Sequence, residues 1–450
     1  MPRPRKSAKA AKHAWQAALA KFWAHYNCWE LGLFTIGALS FVGVMVILFM
    51  PIGKGPSLTV PTGPVPAVSS PAFATAVSAW MNLPQDAAPR PEIFENGDAI
   101  VPALLRDIDG ARRSIEFMAY IWKDGRLSDE LLIHLTRRQR AGVQVRILLD
   151  AYGGLHAPGA KLDELEKAGG KIATFHSLIP APWTFMRATK RNHRRAIVID
   201  DAIAYTGGLG VDDVWLGHAE PPRWHDLMFR VGGTMAKRLQ GSFAELWAAT
   251  TGELLVPRQE DAAASGGGVR YLALSASPSP DLYAEETFVL FCLLGAERSI
   301  KIETPYFLPN ATLRKVLIDK AKAGVAVTIL LPNENTDERS VRWAGQRIYE
   351  ELLQGGVRIY EYQPTFTHTK LLVEDGTWSV IGSANMDIRS RRLNDEVVMG
   401  ISDQPLAAAL ETIFSRDLAK AKEIKLAQWQ KRGPLQRVLE LVSQAFVQQY

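Results

Sequence analysis

Two short stretches hold residue types able to do nucleophilic and acid–base work. In "FTHTKLLVEDG", starting at Phe366, His368 precedes Lys370 by two positions and Asp375 by seven. In "HRRAIVIDD", His193, Arg195 and Asp200 repeat that spacing. Residues i and i+2 of a strand face one side, so each imidazole shares a face with a cation, while Leu371 and Val373 take the other. A single histidine in an apolar strand is most often a satisfied core residue. Two histidines at matching places, each with a cation two residues on, fit a built site.

Two imidazoles and two cations in one cleft suit phosphoryl transfer. One neutral imidazole can attack phosphorus and form a covalent intermediate. The other can protonate the leaving alkoxide and then deprotonate the acceptor. Arg195 and Lys370 would stabilise charge on the phosphoryl oxygens. Ser383 and Asn385 in "GSANMD", with Gly208 in the first stretch's Gly207-Gly208, are the candidates to add hydrogen bonds to them. Glu396, in "LNDE", and Asp226, in "WHDLMFR", are candidates to hold each imidazole in one tautomer. The chain has no HExxH, paired CxxC or Asp-rich loop, so the site is read as metal-independent, with no cofactor.

The elements that must position these residues come in two copies. "GARRSIEFMAYIW" from Gly110 answers to "GAERSIKIETPYF" from Gly295, and "RAGVQVRILL" from Arg140 to "KAGVAVTILL" from Lys322. "KAGGKIATF" from Lys167 answers to "LQGGVRIYEY" from Leu353, and the two histidine stretches follow in the same order. The offsets run from 175 to 186. Each copy reads strand, helix, strand, helix, strand, then the histidine strand and a hairpin. Continuous apolar strands such as "VRILLDA" alternate with helical stretches such as Leu127 to Arg140, which predicts an α/β fold. Two duplicated α/β halves related by a pseudo-two-fold axis would bring both histidines to one site.

Charge and hydropathy place this body at a membrane. Of 52 basic and 47 acidic residues, positions 1–30 hold six and one, which leaves 46 and 46 for the rest. A neutral body argues against nucleic acid as a partner. The basic tail precedes "LGLFTIGALSFVGVMVILFM", Leu31 to Met50, which is uncharged and long enough for one N-terminal transmembrane helix. Six Lys/Arg before the span and Lys54 after it predict a cytoplasmic N-terminus. The protein would be single-pass in a bacterial inner (cell) membrane, its catalytic body outside the cytoplasm. Cys28 and Cys292 then fall on opposite sides, and no intrachain disulfide is expected.

The expected order is a basic amphipathic segment at 1–30 bearing Trp15, Leu19, Phe22, Trp23 and Tyr26, the span at 31–50, and a Pro/Ala-rich tether at 51–90. The first α/β half follows at 91–260, a linker at 261–268, the second half at 269–420 and a C-terminal amphipathic helix at 421–450. "LIPAPWTFMR", Leu178 to Arg187, reads as a loop that dips into the bilayer or as core packing. Arg187, Lys190, Arg191 and Arg194 by the first motif, and Arg389, Arg391 and Arg392 after the second, read as a solvated face or as attraction for anionic headgroups.

The paired His-x-Lys/Arg-x4-Asp motifs, "GSANMDIRS", "LNDE", "TPYFLP" and "WHDLMFRVGG" resemble the phospholipase D superfamily, in its bacterial cardiolipin synthase branch, from about Pro91 to Asp403. The resemblance implies that His193 is the phosphohistidine nucleophile, that His368 is the general acid/base, and that Asp200 and Asp375 are structural. Arg195 stands where the family has lysine, and Gly210 stands opposite Asn385 where many members have asparagine. What it implies for function is phosphatidyl transfer between two phosphatidylglycerol molecules, giving cardiolipin and glycerol at the membrane. The alternatives are hydrolysis to phosphatidic acid by the same site, a nuclease, and a degenerate non-catalytic lipid-binding protein. No oligomeric state is assigned.

Overall fold

The computed structural model describes residues 28–49, 58–60, 63–177, 190–216, 223–256, 268–278 and 283–444. The chain divides into two compact units, residues 1–52 and 53–448. The first contributes one described element, the 22-residue helix Cys28–Phe49. Within it, side chains are described at Trp29 and residues 32–41. Among the described residues no helix is long and apolar enough to cross a membrane, so the span expected at 31–50 rests on the sequence. The amphipathic segment before Cys28, the loop Leu178 to Arg187 and, apart from Gly268, the linker at 261–268 lie outside the described residues.

In the second unit the strands of the first part are β1 (Gln85–Ala88), β2 (Glu92–Glu95), β3 (Ser114–Ala119), β4 (Gln144–Asp150), β5 (Lys171–Phe175), β6 (Arg191–Asn192), β7 (Ala196–Ile199), β8 (Ile203–Gly207) and β9 (Leu227–Gly232). Those of the second are β10 (Val269–Ala276), β11 (Ser299–Glu303), β12 (Ala326–Pro332), β13 (Arg358–Tyr362), β14 (Leu371–Glu374), β15 (Trp378–Gly382), β16 (Asn394–Ser402) and β17 (Ala421–Ile424). One sheet runs β2-β9-β8-β7-β3-β4-β5 and the other β1-β10-β16-β15-β14-β11-β12-β13-β17. The stretch β9-β8-β7-β3-β4-β5 matches β16-β15-β14-β11-β12-β13 strand for strand, so the internal repeat in the sequence is a repeat of topology.

β3, β4 and β5 pair in parallel, as do β11, β12 and β13, and β3, β4 and β12 are buried along most of their length, which explains their unbroken apolar runs. One face of the first sheet packs against the helices Asn96–Gly110 and Arg126–Arg140, whose Ile100, Leu104, Leu131 and Leu135 join Phe117, Ile147 and Ile197. The opposite faces of the two sheets meet in a shared core. There Met118, Val198 and Phe229 of the first half pack with Leu371, Val373, Ile381 and Met399 of the second, beside the helices Gly233–Thr251 and Gln404–Leu418. Burying each such side chain contributes roughly 1.5–3 kcal/mol, so the two halves are one folded body.

Two expectations are corrected. The tether at 51–90 is folded over its C-terminal part: Pro71–Met81 is a helix that buries Phe73 and Val77 in the second half's core, and β1 pairs antiparallel with β10. Pro71 sits at the first helical turn, where proline forfeits no hydrogen bond, and so its composition mimics a linker. The segment 421–450 is not one helix either. Ala421–Ile424 adds β17 to the edge beside β13, and the amphipathic helix is Pro434–Ser443.

Candidate active site

Each histidine lies in an extended segment leading into a strand, His193 before β7 and His368 before β14, rather than within the strand itself. The alternation still holds. Leu371 and Val373 enter the shared core, while Lys370 turns back so that its Nζ lies 3.2 Å from each ring nitrogen of His368 and 2.8 Å from the His368 carbonyl oxygen.

The motif aspartates anchor these segments from the far end of β7 and β14. Asp375, at φ 53°, accepts the N–H groups of Glu297, Arg298 and Ser299, each at 2.8 Å. Asp200, at φ 55°, does the same for Arg112, Arg113 and Ser114 at 2.6–3.0 Å. Aspartate tolerates this left-handed backbone better than most residues. Both bind the turn before the first parallel strand of their own half.

The halves exchange partners at the histidines. β6 pairs with Asn394 and Asp395 of β16, and the His193 N–H donates to the Asp395 carbonyl at 2.9 Å. Symmetrically, the His368 N–H donates to the His225 carbonyl at 2.7 Å. This crossing brings Glu396 to His193 (Nδ1 to Oε1, 2.8 Å) and Asp226 to His368 (Nδ1 to Oδ2, 2.9 Å). A carboxylate only accepts, so each Nδ1 carries the proton and each Nε2 the lone pair; His368 Nε2 has Lys370 Nζ at 3.2 Å.

Both carboxylates are buried and held ionised. Burial alone would raise Glu396, but His193, Ser383 and Ser390 outweigh it and its pKa is lowered. Ser383 Oγ donates to Glu396 Oε2 at 2.5 Å and Ser390 Oγ to Oε1 at 2.8 Å. Asp226 is likewise lowered against burial, by His368, Lys370 and the Trp215 indole, which donates to Oδ2 at 2.9 Å. The bases move the other way. Burial and then Lys370 bring His368 down to about 3, and Lys370 itself falls to about 7 through burial and Arg195. His193 is lowered by burial, with Glu396 opposing and Arg195 and Lys370 adding. Each half's cation therefore acts on the other half's histidine, as in a single site.

Some candidate roles change. Ser383 is fully buried against Glu396 and does not offer its hydroxyl to a phosphate. Gly208, its counterpart, donates its N–H to the Leu227 carbonyl at 3.2 Å, and a Cβ there would meet Asp226 Oδ1 at 2.1 Å, so the missing side chain makes room for that carboxylate. Gly210 stands opposite Asn385 because Trp215 occupies the space, its ring 3.0 Å from where a Cβ would be. Arg195 repeats the lysine's grip, with Nη1 donating to the His193 carbonyl and Nε to the Leu209 carbonyl, both at 3.2 Å. Its Nη2 is buried without a partner. Asn385 is buried with Oδ1 unpartnered.

Trp215, Ser390 and Tyr120, whose ring meets His193 edge-on at 5.3 Å, had no assigned role in the sequence. Ser390 lies within "GSANMDIRS" and was the one within reach of the motif. Arg191, Arg194 and Arg391 are buried, and they bond Asp150, Glu245 with Ser277, and the Leu308 carbonyl. They are not a solvated face.

A duplicated α/β body that sets two histidines on crossed carboxylates beside two buried cations defines a phospholipase D-like enzyme. The chain matches the family described as "Cardiolipin synthase, PLD-like domain" over residues 104–247 and 290–418. It is 32% identical over 362 residues to cardiolipin synthase A of Serratia proteamaculans, covering 78% of this chain and 73% of that one. It is 31% identical over 360 residues to the same enzyme of Escherichia coli O157:H7, with the same coverage. Among solved structures, the phosphatidylserine synthase of Haemophilus influenzae superposes with a TM-score of 0.63 at 15% identity, over 83% of this chain and 96% of that one, a likeness of fold. The chain belongs to the cardiolipin synthase branch of the phospholipase D superfamily and is a phosphatidyltransferase of that class.

Proposed function

We propose that the chain joins two phosphatidylglycerol molecules into cardiolipin and releases glycerol. The observation that carries this reading is the crossed pair of His–carboxylate contacts beside a buried Arg195 with an unpartnered nitrogen. His193 Nε2 attacks phosphorus, the P–O bond to glycerol breaks, and His368 gives its proton to the leaving alkoxide. The terminal hydroxyl of a second phosphatidylglycerol then attacks the phosphohistidine. His368 takes its proton, the P–N bond breaks, and cardiolipin leaves. His368 is neutral in the ligand-free site. Burial is the main cause, and Lys370 and Arg195 add to it; a phosphodiester anion between those two cations offsets their share and favours the proton on His368 that the first step needs. Asn385 is the remaining candidate to hydrogen-bond a phosphoryl oxygen, and Asp200 and Asp375 hold the frame.

The domain order of the sequence reading is retained with the two corrected segments, and residues 31–50 are the membrane anchor. Support comes from twenty uncharged residues and from the exposed Leu33, Phe34, Ile36, Leu39 and Phe41 of the helix Cys28–Phe49. Both substrates stay in a bilayer, so an anchored enzyme meets them there. The charge bias favours the bacterial inner membrane with the body outside the cytoplasm; an inactive C-terminal alkaline phosphatase fusion would contradict that orientation.

The activity is tested by mass spectrometry of lipids after the purified chain is incubated with phosphatidylglycerol vesicles. Cardiolipin with released glycerol supports the reading. Phosphatidic acid alone makes the chain a hydrolase, and no turnover makes it a binding protein.

A further inference from the structure

Outside the two histidine pairs, one group of buried side chains has the composition of a metal site. His225, Glu303 and Asp417 are 5%, 0% and 1% exposed, and one ligating atom of each lies within 4.8 Å of the others. They converge from three elements: the segment before β9, the end of β11, and the helix Gln404–Leu418.

The hydrogen bonds around them fix what each atom can do. Asn96 Oδ1 accepts the Asp226 N–H at 3.2 Å, so that atom is an acceptor. The same oxygen lies 2.9 Å from His225 Nδ1, which therefore carries a proton and donates it. Nε2 is the ring nitrogen left for a proton or a metal ion, and it lies 2.9 Å from Asp417 Oδ2. Glu303 Oε1 accepts from Thr367 Oγ1 at 2.6 Å, while Oε2 is buried without any partner. Two carboxylates in a dry interior require a positive charge beside them, either a proton on Nε2 or a metal ion. A proton on Nε2 would serve Asp417 but leave Glu303 Oε2 unsatisfied. A divalent ion serves all three.

We propose that His225, Glu303 and Asp417 bind a divalent cation of the zinc class. An imidazole with two carboxylates is a donor set such ions accept. The ligand orientation is also built in, with the other ring nitrogen on an amide oxygen and the other glutamate oxygen on a threonine hydroxyl. The ion would be structural, because it lies beneath the site and not in it. His225 gives its carbonyl to the His368 N–H and precedes Asp226, so the ion braces both partners of that contact.

The test is the metal content of the full-length chain, purified without a histidine tag from cells grown with added zinc, by plasma mass spectrometry. The proposal expects one equivalent of zinc per chain, a thermal midpoint lowered by prolonged chelation and restored by zinc, and loss of the metal in His225→Asn and Asp417→Asn but not in His193→Ala. Metal-free wild-type protein whose midpoint ignores added zinc would overturn it and leave an imidazolium between two carboxylates. That wild-type measurement stands even where the variants do not fold.

Discussion

Glu396 lies 203 residues along the chain from His193, yet its Oε1 is 2.8 Å from the imidazole Nδ1. Asp226 stands in the same relation to His368, so each histidine depends on a carboxylate of the other half. Glu396→Gln and Asp226→Asn keep the shape and remove the charge that fixes the tautomer. Each is expected to lower kcat by on the order of 10²–10⁴. Thermal midpoints measured beside the rates separate this from unfolding. A rate unchanged in either variant would remove the crossed pair from the chemistry.

The pH profile should report Lys370. Its pKa of about 7 in the free site means that it is cationic below neutrality and neutral above. A neutral amine attracts a phosphate less, so kcat/KM should fall as pH rises past about 7. Lys370→Arg keeps the charge at every accessible pH. It should lower the plateau and push the alkaline limb upward by more than one unit. A limb that stays in place assigns it to another group.

Gly208 and Gly210 should respond unequally to alanine. A methyl group at Gly208 would overlap Asp226 Oδ1 at 2.1 Å, whereas one at Gly210 meets only the Trp215 ring and Ile121 at 3.0–3.2 Å. Gly208→Ala should therefore displace Asp226 from His368 and cost about 100-fold or more in kcat, a loss of the size seen for positioning residues. Gly210→Ala should cost less. Equal effects in steady-state assays would contradict the assignment of Gly208 as space for the carboxylate.

Asp375→Ala should act on stability. It leaves three backbone N–H groups without their acceptor. About 2–4 kcal/mol of unfolding free energy should be lost in urea titration. Activity per folded molecule should change far less than in His368→Ala.

The motifs, the duplication and the α/β alternation were legible because they are written in spacing and hydrophobic period. The crossing was not. Glu396 and Asp226 could be nominated as partners of the imidazoles, but which carboxylate serves which histidine follows from β6 pairing with β16, a contact between segments two hundred residues apart. Ser383 and Gly208 were misassigned for a related reason. Beside a phosphate site a serine reads as a donor to phosphate, and only packing reveals a carboxylate underneath it. The helix Pro71–Met81 was hidden by its alanines and its flanking prolines, since its stability comes from Phe73 and Val77 docking on a distant half.

The most direct test of the central claim is to locate the covalent intermediate. The enzyme is mixed with phosphatidylglycerol vesicles, quenched in alkali during turnover to preserve phosphohistidine, digested, and read by peptide mass spectrometry. A phosphatidyl group on His193, absent in His193→Ala, is the predicted result. A group on His368 instead, or full turnover with no adduct at either histidine, would contradict the account.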